Sequence, residues 1–325
     1  MLRLLPVCVL LLAIAFPPAM QAIDQAYYVT MASRILIYAL AATSLNLILG
    51  YGGMISFGHA AFVGAGAYAA SVMIVEGMTS AWIGWPLAMA VSALLALAIG
   101  AISLRTRGVY FIMITLAFAQ MIYYLTVSMK AYGGDEGLTL TQRATLGFGL
   151  DPHLDLRDDI TFYYVVLAIL TAALFFVSRL VNARFGRVLQ AIRENEPRME
   201  AIGYPTLRYK LIAFVLAGAL GGLAGALLAG QNNYVNPGML HWTESGKLMI
   251  MVILGGVGHL YGGVFGAIGL LGLEELLANH KIAWLAALYP NYQQHSLLGV
   301  GLAMLAVVLY APQGIAGIFR RKNHG

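Results

Sequence analysis

Hydroxyl, imidazole and carboxylate side chains could do chemistry here, but none falls in a spacing that supports catalysis. Gly53-Met54-Ile55-Ser56-Phe57-Gly58 holds a serine between glycines. It is not the Gly-x-Ser-x-Gly elbow that exposes a nucleophile, and neighbouring His59 has no evident acidic partner. No His-Glu-x-x-His helix offers a zinc site. Gly246-Lys247 lacks both the upstream glycine and the hydroxyl residue of a phosphate-cradling loop. Cys8 is the only cysteine, which excludes an intrachain disulfide and a cysteine metal site. The sequence reads as no enzyme, with no catalytic, metal or cofactor-binding residue of its own.

Two glycine-dense segments carry polar groups suited to other work. Asn46 to Phe62 is one of them, and a helix running through it unbroken is disfavoured, because each Gly costs about 1 kcal/mol relative to Ala. A break there exposes backbone N–H groups and a half-helix N-terminus, which favours a carboxylate. The pattern Gly52-Gly53…Gly58-His59 returns as Gly255-Gly256…Gly258-His259. Paired glycine-interrupted segments point to a binding or translocation site in duplicated transporters, although glycine-rich membrane sequence also matches by chance. Asn46, Ser56, Gly58, His59, Phe62, Gly255, Gly256 and His259 are the residues expected to form or flank a path. His59 reads equally as a helix cap or a buried hydrogen-bond partner.

The long charged segment lies at Arg184 to Lys210, between apolar stretches. Phe185, Val188, Leu189 and Ile192 recur at helical spacing and predict a short amphipathic helix. Pro197 belongs in a first turn, where its missing N–H costs nothing. Asn195 or Glu196 can cap that second helix, and Gly203 closes it. The expected shape is a helix-turn-helix knob. On its own residues it is either a solvated loop or a docking surface.

The elements that must position these groups are membrane helices. The chain is 60% hydrophobic and 10% charged, against about 25% charged in soluble domains. Its mean hydropathy is +0.79. Apolar stretches at 4–22, 31–50, 57–75, 82–104, 109–129, 161–180, 209–230, 246–257, 261–278 and 296–313 predict an all-α, polytopic protein of about ten spans. The pair at 246–278 is too short for two comfortable spans, so one or both are expected to be broken or re-entrant at Gly255-Gly256-Val257-Gly258. Residues 1–22 could pass for a secretory signal; a retained first helix is the favoured reading. Arg3, Arg105, Arg107, Arg179 through Lys210 and Arg320 to Lys322 fall on one set of loops, acidic residues on the other. The positive-inside rule then places both termini in the cytoplasm and explains the net charge of +5 without nucleic acid. Arg34, Glu274 and Glu275 lie in the spans near their ends, where snorkelling accounts for them and ion coupling finds little support. Gly218, Gly222, Ala226 and Gly230, with Ala217, Gly221, Gly225 and Ala229, form two small-residue rows that let helices approach closely.

Three blocks resemble a known family. Asn46 to Tyr68, Arg105 to Gln120 and Phe185 to Ala229 are similar to blocks of the permease subunits of branched-chain amino acid ABC importers, the LivM type. Gly133-Gly134-Asp135-Glu136-Gly137-Leu138 resembles a shorter outer-loop signature, in which Ser more often precedes Asp. The resemblance spans nearly the whole chain and implies a single permease domain over 1–325, with a coupling loop at 184–208. It implies a second permease subunit, two cytoplasmic ATPases that bind ATP and Mg, and a periplasmic binding protein, in a bacterial inner membrane. In this family the matching loop docks on the ATPase, which makes Arg193, Glu194, Asn195, Glu196, Arg198, Glu200, Ala201, Gly203 and Tyr204 the expected coupling residues. Hydrophobic amino acids are the implied cargo, moved by alternating access. Urea, amides or aromatic acids are alternative cargoes of the same class, and a stand-alone channel or ion-coupled carrier is the reading from another class.

Overall fold

The computed structural model describes residues 5–23, 25–146, 156–279, 296–310, 314, 315 and 317. Helices α1 (Leu5–Ala22), α2 (Ala26–Asn46), α3 (His59–Val75), α4 (Ala81–Ser103), α5 (Val109–Ser128) and α6 (Asp159–Asn182) build the first half. Two short helices, α7 (Arg184–Glu194) and α8 (Glu196–Ala201), lead into α9 (Thr206–Asn232), α10 (Trp242–Gly255), α11 (Gly262–Asn279) and α12 (Ser296–Tyr310). A helix thus lies at each of the ten apolar stretches. Of the outer loop expected at 279–295, residues 280–295 lie outside the described residues, as do 320–322.

Among the described residues, five helices are long and apolar enough to cross a membrane alone: α2 with its continuation to Tyr51, α4, α5, α6 and α9. The chain is a polytopic helical membrane protein. By contrast, α10 has 14 residues. At about 1.5 Å per residue it falls well short of the ~30 Å hydrocarbon core. The break after it sits where the glycines predict, with φ of +114° at Gly256 and +77° at Gly258. The helix α1 packs on α6, where the Tyr163 hydroxyl donates to Ala13 O at 2.8 Å and the Tyr164 hydroxyl to Ile14 O at 3.0 Å.

The centre of the fold is α9, and its two small-residue rows meet different neighbours. Gly218 and Gly222 face α4, where an added Cβ would lie 2.5 Å from Ala96 Cβ and from Ser92 Cβ respectively. Gly221 and Gly225 face α3, where an added Cβ would lie 3.3 Å from His59 Nε2 and 3.0 Å from Ala67 N respectively. Such close approach replaces the hydrophobic drive that lipid cannot supply between helices.

Arg107, between α4 and α5, reaches α8 at one end of the bundle. At the opposite end, β1 (Leu138–Thr139) pairs antiparallel with β2 (Tyr234–Val235), joining the loops after α5 and α9.

Candidate functional site

The charged segment folds into the expected knob. The Asn195 side chain caps α8 by accepting from Arg198 N at 3.0 Å, with Pro197 in the first turn. Gly203, at φ +89°, closes it, and Tyr204 N returns to Met199 O at 3.1 Å. Leu189, Ile192 and Met199 are buried, while Phe185 stacks on Tyr209 at 5.5 Å. Those contacts hold the inner face to the bundle.

The outer face is open. Arg193, Glu194, Asn195, Arg198, Glu200, Ala201, Gly203 and Tyr204 are exposed, and Glu196 turns inward. Ile202 forms an apolar crest at 64% exposure beside Tyr204. Glu196 bonds Lys210 Nζ at 2.5 Å and lies 3.6 Å from Arg107. Glu200 bonds Arg107 at 3.1 Å and accepts from Thr206 Oγ1 at 3.0 Å. Exposed ion pairs contribute only about 0–1 kcal/mol, so the Arg107–Glu200 pair orients α8 more than it stabilises the protein. Arg107 and Lys210 were not singled out from sequence; their basic character on the same loop set was the available signal.

A second connection runs inward from the knob. Arg193, near the end of α7, donates to the carbonyl of Gly50. That residue lies in a π turn, Leu47–Tyr51, at the end of α2, a distortion frequent at functional sites. Gly53, at φ +69°, lies under the Arg193 stem, where a Cβ would sit 2.8 Å from Cγ. Asn46 Oδ1 accepts from Gly258 N at 3.0 Å, and Asn46 Nδ2 donates to His259 O at 2.8 Å. A Cβ on Gly50 would sit 2.5 Å from Gly258 N. The two glycine-rich segments echo one another in sequence and meet in space, with Arg193 against their junction.

The other predicted path residues are largely interior. Ser56 Oγ accepts from Gly58 N at 3.2 Å, and a Cβ on Gly58 would meet Thr115 O at 2.9 Å. Phe62 sits edge-on between His59, at 5.7 Å, and Phe214, at 5.3 Å. Gly255 and Gly256 are buried at the α10–α11 break. His59 is fully buried, and its Nε2 lies 2.7 Å from Ser44 Oγ. It is therefore a buried hydrogen-bond partner at the start of α3. We expect His59→Ala to lower stability by about 2–4 kcal/mol, through the cavity it leaves and the lost hydrogen bond with Ser44, whose hydroxyl keeps its bond to Ala41 O. Thermal unfolding in detergent reads this directly, and an unchanged melting temperature would remove the packing role.

A cavity of about 310 Å³ opens between α2, α3, α9 and α10, and none of the eight predicted path residues lines it. Ser245, in the first turn of α10, accepts from Ala60 N at 2.8 Å, so two helix N-termini converge beside this space. Glu244 was read from sequence as an outer-loop acid, but it lies in the first turn of α10 and lines the cavity.

Comparison with known proteins agrees with this architecture. Residues 27–311 match the family described as branched-chain amino acid transport system / permease component. The high-affinity branched-chain amino acid transport system permease protein LivM of Salmonella typhimurium is 28% identical over 90% of this chain and 70% of its own length. LivM of Escherichia coli K12 is 27% identical over 98% of this chain and 76% of its own. LivH of Escherichia coli K12 is 24% identical over 86% and 91%. The solved PsaBC from Streptococcus pneumoniae in complex with Fab overlays with a TM-score of 0.44 at 14% identity, covering 94% and 100%, a similarity too low to inform the fold. With the family match running over most of its length, this chain belongs to the permease components of branched-chain amino acid transport systems.

Proposed function

We propose that this chain is one transmembrane subunit of a binding-protein-dependent ABC importer. It moves branched-chain or other hydrophobic amino acids across the bacterial inner membrane by ATP-driven alternating access. Two cytoplasmic ATPases bind ATP and Mg and hydrolyse the nucleotide; this chain supplies no catalytic residue. Its partner is a second, different permease, a reading supported by Escherichia coli K12 having permease proteins named both LivM and LivH for such a system. Both termini and the knob face the cytoplasm, following Lys/Arg placement. Loops 131–143 and 231–245 receive the periplasmic binding protein.

The observation that carries the reading is the exposed knob wired to the interior. Its outer surface, Arg198 to Tyr204, meets the ATPase. Its inner connections run through Glu196 and Glu200 to Arg107 and Lys210, and through Arg193 to the glycine junction. Movement of the ATPase displaces α8, the displacement reaches Gly50 and Gly258 through Arg193, and the broken helices α2 and α10 tilt about their glycines. Asn46, Ser56, Gly58 and Gly255 to His259 flank the path along which the opening changes.

Glu200→Arg tests the docking step. The new guanidinium faces Arg107 and reverses a charge on the ATPase-facing helix. We expect uptake by the assembled complex to fall at least about tenfold, the scale set by losing a charged hydrogen bond, with the permease still folded. Adding Arg107→Glu restores the local pair: recovery assigns the loss to the position of α8, and no recovery assigns it to the ATPase contact. Wild-type uptake by the single variant contradicts docking at this helix.

A further inference from the structure

The geometry points to the cavity at the start of α10 as a binding site for the cargo in transit, a zwitterionic amino acid with an aliphatic side chain. This rests on the importer reading above and names a site within it. The volume, about 310 Å³, falls at the low end of the roughly 300–1,000 Å³ usual for small-molecule pockets. One wall is apolar, formed by Ile37, Ala41, Val63, Leu228, Met239 and Leu248. The polar lining residues are Tyr38, Asn232, Asn236 and Glu244. An apolar pocket with a few convergent polar groups suits a ligand that is apolar at one end and doubly charged at the other.

The charges divide in the sense a zwitterion needs. Glu244 is half-buried and forms no salt bridge among the described residues. A carboxylate in this position costs free energy unless a cation joins it, and an α-ammonium group is such a cation. Tyr38 stands between the cavity and two basic side chains: the Arg34 guanidinium lies 5.9 Å from its ring centroid and Lys247 Nζ 5.4 Å. Lys247 is itself held 3.4 Å from Glu274. The positive side chains behind Tyr38, its hydroxyl, and the carboxamides of Asn232 and Asn236 favour the cargo carboxylate. Asn232 and Gly238 are exposed at the rim, on the side where β1 and β2 pair, and this is the side from which cargo enters.

Cargo size gives the deciding test, because a folding defect changes uptake of every cargo alike. Proteoliposomes holding the complete transporter, with its own binding protein, would be assayed with L-leucine and L-phenylalanine. Met239→Ala widens the apolar wall. It should raise the ratio of phenylalanine to leucine uptake by about tenfold, the lower scale for a pocket gaining room for extra carbon. Glu244→Gln should raise the KM for leucine about tenfold, as expected for loss of a charged partner. An unchanged ratio in Met239→Ala overturns the site. An unchanged KM in Glu244→Gln overturns the ammonium assignment. Absence of ATP-dependent leucine uptake in the wild-type complex overturns the importer reading instead, so the two failures are distinct.

Discussion

Arg193→Ala is expected to reduce ATP-driven uptake at least about tenfold while leaving the helical fold intact. A hydrogen bond to a charged group is worth about 1.5–3 kcal/mol. Here it joins an exposed helix to the carbonyl of Gly50 inside a π turn. Few other links run from the knob to the glycine junction: Glu196 and Glu200 are tied instead to Arg107, Lys210 and Thr206 at the same end of the bundle. The variant should therefore bind the ATPases but fail to pass their motion on. Its signature is ATPase activity that cargo-loaded binding protein no longer stimulates. Arg193→Lys keeps the charge but loses the planar fork, and should fall between alanine and wild type. Wild-type uptake by Arg193→Ala would show that motion reaches the path by another route.

The second large effect is structural. Gly225→Val should prevent accumulation of folded permease in the membrane. A Cβ at Gly225 would lie 3.0 Å from Ala67 N and closer still to the Val63 carbonyl. Both are backbone atoms of α3, so no side-chain rotation relieves the clash. Overpacking costs about 1–3 kcal/mol when neighbours can shift, and here two long helices must separate. Gly272→Val is the control, since nothing lies within 4 Å of a Cβ there. Membrane-extracted yield and size-exclusion profile compare the two. Equal, monodisperse yields would show that the α3–α9 approach is not essential.

The legible parts of this protein were the local ones. Asn195, Pro197 and Gly203 each act within a few residues, so the knob and its two-helix shape could be read from the chain. The rows on α9 were legible because 3.6-residue periodicity sorts them onto faces, although only the fold says which row meets α3 and which meets α4. Contacts across long separations were not legible. Arg193 and Gly50 are 143 residues apart, and Arg107 and Glu200 are 93 apart. Hydropathy also misplaced the start of α10. It set the boundary at 246, because Thr243 and Glu244 look like loop, whereas the helix begins at Trp242. Lys247 fell inside the 246–257 stretch but was weighed only as part of a phosphate-loop match, and Glu274, read as snorkelling, lies 3.4 Å from it. The cavity escaped the sequence because four helices and the loop after α9 contribute to it, each offering two or three residues.

The account stands on coupling: an amino acid moves through this chain only when ATPases drive it. Uptake of L-leucine into proteoliposomes measures that directly, comparing this chain alone with the complete set of two permeases, two ATPases and binding protein. The account predicts accumulation that requires ATP and every subunit, and none with the chain alone. Leucine flux through the isolated chain, without ATP, would contradict it and identify a self-sufficient channel or carrier.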